Sequence, residues 1–171
     1  MAAHLVRRFV GSLRPGGPSA EDSAWARSFL LPGEQRLWDQ LSGADRRHAV
    51  GVARRVVAAV GDADRAVVAA ALLHDAGKLA SRLRTYGRVV ATMAGGVAGR
   101  DMAPAWSSGR GFTRRVGLYL RHAAIGADML RIAGSEPLTV AWPAEHHLPP
   151  DRWTGTVPPD IAAALRAADD D

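Results

Sequence analysis

Imidazoles and carboxylates dominate the chemistry open to this chain. Its histidines are His4, His48, His74, His122, His146 and His147, and aspartates stand beside them at Asp75 and, near the end of the sequence given, at Asp169 and Asp170. Neutral imidazole combined with carboxylate suits Mn, Fe, Zn or Ni as divalent ions. Ca and Mg prefer sites built entirely from oxygen. A mixed set of this kind leaves coordination positions for water and a substrate oxygen, which favours hydrolysis of a phosphate ester.

Helical arithmetic tests whether these residues can meet. A helix over 45–60 carries His48 near its start, and one from 62 or 63 to 74 carries His74 at its end. At ~1.5 Å rise per residue the outward leg is about 18 Å and the return leg about 16.5 Å. An antiparallel hairpin therefore brings His74 back to the level of His48, with Asp75 just beyond the helix end. The same arithmetic holds for helices over 122–133 and 136–146, which return His146 and His147 to the level of His122. A last helix over 159–168 delivers Asp169. Singly, His48 reads as a hydrogen-bonded structural histidine, His74-Asp75 as a chance dipeptide, and Asp169-Asp170-Asp171 as a solvated acidic tail. Their joint placement carries the argument. The set of His48, His74, Asp75, His122, His146, His147 and Asp169 exceeds what one ion takes from protein, so one or two divalent transition ions are expected as cofactor.

The elements that must position these residues are all helical. Alanine, the strongest helix former, occurs 33 times in 171 residues, and no alternating strand pattern of useful length is present. Further helices are expected over 23–31, 34–41, 79–97 and 113–120, with Ser42 capping the helix that holds His48, and a loop over 99–111. Residues 1–22, with Arg14-Pro15-Gly16-Gly17-Pro18-Ser19, read as a flexible lead-in. The expected fold is an all-α orthogonal helical bundle in one compact domain, with a lead-in and short helices over 1–41 and a metal-binding helical domain over 42–171.

Composition excludes several functions. There is no cysteine, and with it no disulfide framework, Cys-based zinc finger, iron–sulfur cluster or cysteine nucleophile. No run approaches the ~20 apolar residues of a spanning helix, and no secretory segment follows Arg7 and Arg8, so a cytoplasmic protein with no membrane partner is expected. The net charge is +5 and the isoelectric point about 10.8. Aromatics for stacking bases are scarce at 6%, so nucleic acid is not an expected partner. Arg46, Arg47, Arg54 and Arg55 flank one helix at spacings that keep its outer face solvated.

Of the 22 basic residues, 21 are arginine, and the exception is Lys78, three residues after Asp75. A surface position would tolerate either cation. One lysine in an otherwise arginine-only chain suggests a place for a compact ammonium rather than a guanidinium fork. Lys78 is expected to contact a substrate phosphate or leaving oxygen, and not to ligate metal.

His48, then Leu72-Leu73-His74-Asp75-Ala76-Gly77-Lys78, then Ala167-Ala168-Asp169, resembles the H…HD…D signature of the HD-domain metal-dependent phosphohydrolases. His122 with Gly126, and the pair His146-His147, are similar to the extra ligands of the binuclear HD-GYP branch. The resemblance covers roughly residues 42–171. It implies a helical bundle of HD type that hydrolyses a phosphomonoester or phosphodiester, with a nucleotide-like, phosphate-containing small molecule as substrate. His48, His74, Asp75 and Asp169 would hold one ion and His122, His146 and His147 a second, with Asp75 and Lys78 catalytic. No Gly-Tyr-Pro triplet follows His146-His147, so selectivity for cyclic di-guanylate is not expected. The alternative is a catalytically inactive HD module that binds a nucleotide or a protein partner.

Overall fold

The computed structural model describes residues 16–170; His4, Asp171 and most of the expected lead-in lie outside the described residues. Every regular element among the described residues is helical. The α-helices are α1 (Ala20–Ser28), α2 (Pro32–Gln40), α3 (Gly43–Val60), α4 (Arg65–Leu73), α5 (Thr85–Ala98), α6 (Ala103–Ser107), α7 (Gly111–Leu120), α8 (His122–Ile132), α9 (Pro137–Glu145) and α10 (Pro159–Asp170). Short 3-10 turns lie at Ala76–Ser81, Arg100–Met102 and Pro150–Arg152.

Local chemistry explains where these helices start. The Ser42 hydroxyl accepts from the Asp45 amide at 3.1 Å and opens α3, as its spacing predicts. Ser19 does the same for Asp22 at 3.0 Å, so α1 begins at Ala20, earlier than the expected residue 23. Within the expected lead-in, the Gly16 carbonyl accepts from Arg47, and Gly16 packs against Gly43 at the start of α3.

Helix α4 is the centre of the domain. Residues Ala66 to Leu73 are all buried, which suits a helix that is apolar all round. It packs against α3 on one side and α9 on the other, while α10 lies on α3 and α8 on α9. The buried face of α3 comprises Ala49, Val52, Ala53 and Val56. Ala59 is exposed in the last turn before Gly61. Trp38 from α2 and Trp142 from α9 complete this core.

Two expectations fail downstream. The helix expected over 79–97 is split, because Arg82 turns into the left-handed region at φ 50°. A continuous helix would draw the Ser81 and Arg82 carbonyls into its own ladder. Arg115 takes both instead, reaching Ser81 at 3.0 Å. The expected loop over 99–111 contains a 3-10 turn and α6, which starts with Pro104 in its first turn.

Gly77 is needed for space and not for backbone freedom. A methyl group at Gly77 would overlap the His122 carbonyl oxygen and come within 2.6 Å of the Gly126 nitrogen. Two glycines thus allow the 3-10 turn after Asp75 to touch the first turn of α8. Gly77→Ala is expected to cost about 1–3 kcal/mol, the range for overpacking a close contact. Chemical denaturation of the variant checks this, and an unchanged midpoint would show that the contact relaxes freely.

Candidate metal centre

Five helix termini and one early turn converge on the centre. His48 stands in the second turn of α3, His74 caps the C-terminal end of α4, and Asp75 precedes the 3-10 turn. His122 opens α8, His146 caps α9 with His147 next to it, and Asp169 is in the last turn of α10. The structure brings all seven expected residues together. His48 and His74 have ring centroids 5.6 Å apart, His74 and His146 5.5 Å, and His122 and His146 5.9 Å.

The ligand atoms fall into two trios, His48, His74 and Asp169 in one, and His122, His146 and His147 in the other. Within each trio the ligand atoms lie no more than 4.8 Å from one another. Asp75 stands between them. One of its oxygens is 3.4 Å from His74 Nε2, and the other is 3.6 Å from His122 Nε2. Asp169 Oδ1 lies 3.0 Å from His48 Nε2 and 3.5 Å from His74 Nε2.

Three histidines are oriented by one device. The Nδ1 atoms of His74, His122 and His146 each meet the backbone carbonyl three residues earlier, on Ala71, Tyr119 and Pro143, at 2.9, 2.7 and 2.8 Å. A carbonyl only accepts, so each Nδ1 carries a proton and Nε2 points into the centre as the ligand atom. Carbonyl-oriented imidazole is the usual outer support of a metal-binding histidine. The Nε2 atom of His146 is buried with no hydrogen-bond partner among the described residues, and that of His74 makes no hydrogen bond but lies 3.4 and 3.5 Å from the Asp75 and Asp169 carboxylates. An orphaned nitrogen such as that of His146 is costly without a partner, and a divalent ion would satisfy it. The residues present therefore fit such an ion.

Charge balance points the same way. Burial opposes ionisation of Asp75, but Lys78, His74 and His122 outweigh it and hold its pKa well below the usual carboxylate range. Burial also opposes charge on His74, yet Asp75 and Asp169 overcome this and push it up to about 10. His122 and His146 go the other way. Burial, reinforced by Lys78 at His122 and by His74 at His146, pushes each down to about 3. The two carboxylates thus draw in positive charge, and a divalent cation would replace the proton that His74 otherwise holds.

The Lys78 ammonium is ion-paired with Asp75 Oδ2, the oxygen that faces His74.

Three supporting contacts were not legible as such in the sequence. Arg55, expected on a solvated face, donates to the Ala168 carbonyl through Nε at 2.9 Å and Nη2 at 2.7 Å. It thereby ties down the turn of α10 that presents Asp169. Its spacing was the available signal: seven residues after His48 lies on the same helical face. Arg54 and Arg47 are likewise committed to neighbours, to Asp22 with the Trp25 ring and to Gly16. Arg88 holds both oxygens of Asp45 at 2.5 and 2.9 Å, which joins α5 to the start of α3. Glu145, buried beside His146, accepts from Thr154 and tethers the segment after His147.

No protein-family model, curated protein or solved structure matches this chain. The chemical reading therefore rests on the geometry of the centre.

Two outcomes are expected. Arg55→Met should weaken metal binding at the His48–His74–Asp169 trio by about tenfold, the usual scale for loss of an outer support. The other trio should be unaffected, and calorimetric titration with Mn²⁺ or Zn²⁺ measures both. The second concerns pH. Below 6.5 the unfolded chain protonates histidines that the fold keeps neutral at positions 122 and 146, so metal-free stability falls as pH drops from 6.5 toward 3. His74 acts in the opposite sense: its stabilisation is full below 6.5 and is lost as pH rises toward about 10. Thermal melts in chelator across pH should peak near 6.5, and a flat profile would contradict the burial of these rings.

Proposed function

We propose that this chain is a metal-dependent phosphohydrolase whose bundle is of the HD type. It would cleave a phosphomonoester or phosphodiester of a small, nucleotide-like molecule. The observation that carries the reading is the position of Asp75, with one oxygen toward each histidine-containing trio. A carboxylate placed between two such sets suits a pair of ions that share one anionic ligand.

His48, His74, Asp169 and one oxygen of Asp75 would hold the first ion. His122, His146, His147 and the other oxygen would hold the second. Divalent transition ions supply a polarised phosphoryl oxygen and a water of lowered pKa. The remaining work belongs to the chain. The carbonyls of Ala71, Tyr119 and Pro143 keep three imidazoles in one tautomer. His48 and His147 are the more open members of their trios, so substrate would approach from their side. Lys78, held against Asp75, lies where an ammonium stabilises negative charge that develops on a phosphate ester as its P–O bond breaks and the alcohol leaves. Several arginines are committed to internal partners, including Arg47, Arg54, Arg55, Arg65, Arg88 and Arg115. This supports leaving nucleic acid out of the expected partners.

Metal analysis combined with a phosphoester panel tests the proposal. Protein purified without chelator should carry about one to two transition ions per chain. It should hydrolyse a generic phosphoester, and chelator should abolish that activity. Asp75→Ala should lose both ions, whereas Lys78→Ala and Lys78→Arg should keep them and lose turnover by roughly 10²-fold. Protein that stays metal-free after Mn²⁺, Fe²⁺ and Zn²⁺ are offered would overturn the reading. A loaded but inert protein would leave binding without catalysis.

A further inference from the structure

Helix α5 is built inside out. Its inward face is made of small residues four apart, Gly87, Ala91 and Gly95. Ala91 is fully buried, and a methyl group on Gly95 would come within 2.7 Å of Leu120 Cδ2. Its large apolar residues face solvent instead: Val89, Val90, Met93 and Val97 are 40%, 49%, 66% and 90% exposed. At 100° per residue these four span an arc of about 100°, a continuous stripe. Tyr86 lies on the same arc, and Met102 and Phe112 are exposed further along the chain. A helix that only had to cover its own domain would turn these residues inward.

The charge along the stretch of chain that holds the stripe is one-sided. Between residues 82 and 115 the sequence has seven arginines and a single acid, Asp101. Arg82, Arg84, Arg110 and Arg114 are exposed. A second copy of the chain would set these arginines against their own kind. An anionic surface with an apolar interior would take both features. Its headgroups pair with the guanidinium groups, while its acyl boundary accepts valine, methionine and phenylalanine.

We propose that the exposed face of α5, with its flanking arginines, docks this protein on the surface of an anionic lipid bilayer. This differs from the expectation of no membrane partner, which rested on the lack of a spanning segment. Among the described residues no helix is long and apolar enough to cross a membrane, and an interfacial helix has no need to be. The docking face is separate from the seven ligand residues, so the proposal stands whether or not the hydrolase reading does.

Vesicle flotation with the whole chain tests it, using phosphatidylcholine alone and phosphatidylcholine mixed with phosphatidylglycerol. Binding is expected to the mixed vesicles and to be at least about tenfold weaker to the neutral ones, since the anionic headgroups are the partners of the arginines. Met93→Asp combined with Val97→Asp should reduce binding to mixed vesicles by at least about tenfold, because both apolar side chains would leave the acyl boundary. Val97→Asp alone, at the most exposed position, should produce a smaller loss. Thermal melts should match wild type, as both side chains contact mainly solvent. Three results would overturn the proposal: no binding to either vesicle, equal binding by the double variant, or a wild-type dimer in lipid-free buffer that the double variant converts to monomer. The last would assign the face to a second copy.

Discussion

Asp75 is a carboxylate taken out of water, and the arrangement around it follows from the cost of that burial. An isolated buried charge is unfavourable by many kcal/mol, so it must be met by positive charge and hydrogen-bond donors. Lys78 contributes one cation directly. His74, whose Nε2 lies between Asp75 and Asp169, supplies another by keeping a proton. His122 and His146, where burial is reinforced by neighbouring cations, stay neutral. One end of the domain therefore holds protonated and neutral imidazoles side by side. A divalent ion entering there would displace the proton on His74.

Packing makes such a convergence affordable. Helix ends meet closely only where side chains are small, and this chain supplies alanine through α4 and glycine at the contact of Gly77 with Gly126. That contact joins Asp75 to His122 across two elements that are distant in sequence. The three histidines supported by the carbonyl three residues back need no residue distant in sequence for orientation, because each ring reaches the preceding turn of chain. Asp169 and the segment after His147 lack that advantage. They are held by Arg55, and by Glu145 with Arg166.

Arginine has three separate uses here. Some guanidinium groups take backbone carbonyls that would otherwise be stranded, as Arg115 does at the break before α5 and Arg55 does at Ala168. Others bind carboxylates across elements, as Arg65 does with buried Glu34 and Arg88 with Asp45. The planar fork suits both tasks. Arg82, Arg84, Arg110 and Arg114 lie exposed in the stretch of chain that contains α5. A basic net charge thus sums different local roles and identifies no single partner.

The helical class, the order of the helices other than α6 and the common level of the histidines and aspartates were legible in the sequence. Each depends on local quantities: alanine content, the Ser42 cap, Pro137 in a first turn, and a fixed rise per residue that returns His74 to His48 and His146 to His122. That the seven histidines and aspartates could meet was legible for the same reason, since they sit at or near helix ends whose positions that rise determines. Tertiary structure alone decided which oxygen of Asp75 faces which trio, that Lys78 pairs with Asp75, and that Arg55 holds Ala168, the neighbour of Asp169, from 113 residues away. It also decided that the stretch expected as one helix over 79–97 breaks at Arg82, and that α5 turns Gly87 and Gly95 in and its valines out. Periodicity marks an apolar stripe without telling whether a neighbour or solvent will meet it. That choice depends on how closely α5 approaches α7, and only the folded chain brings Gly95 against Leu120.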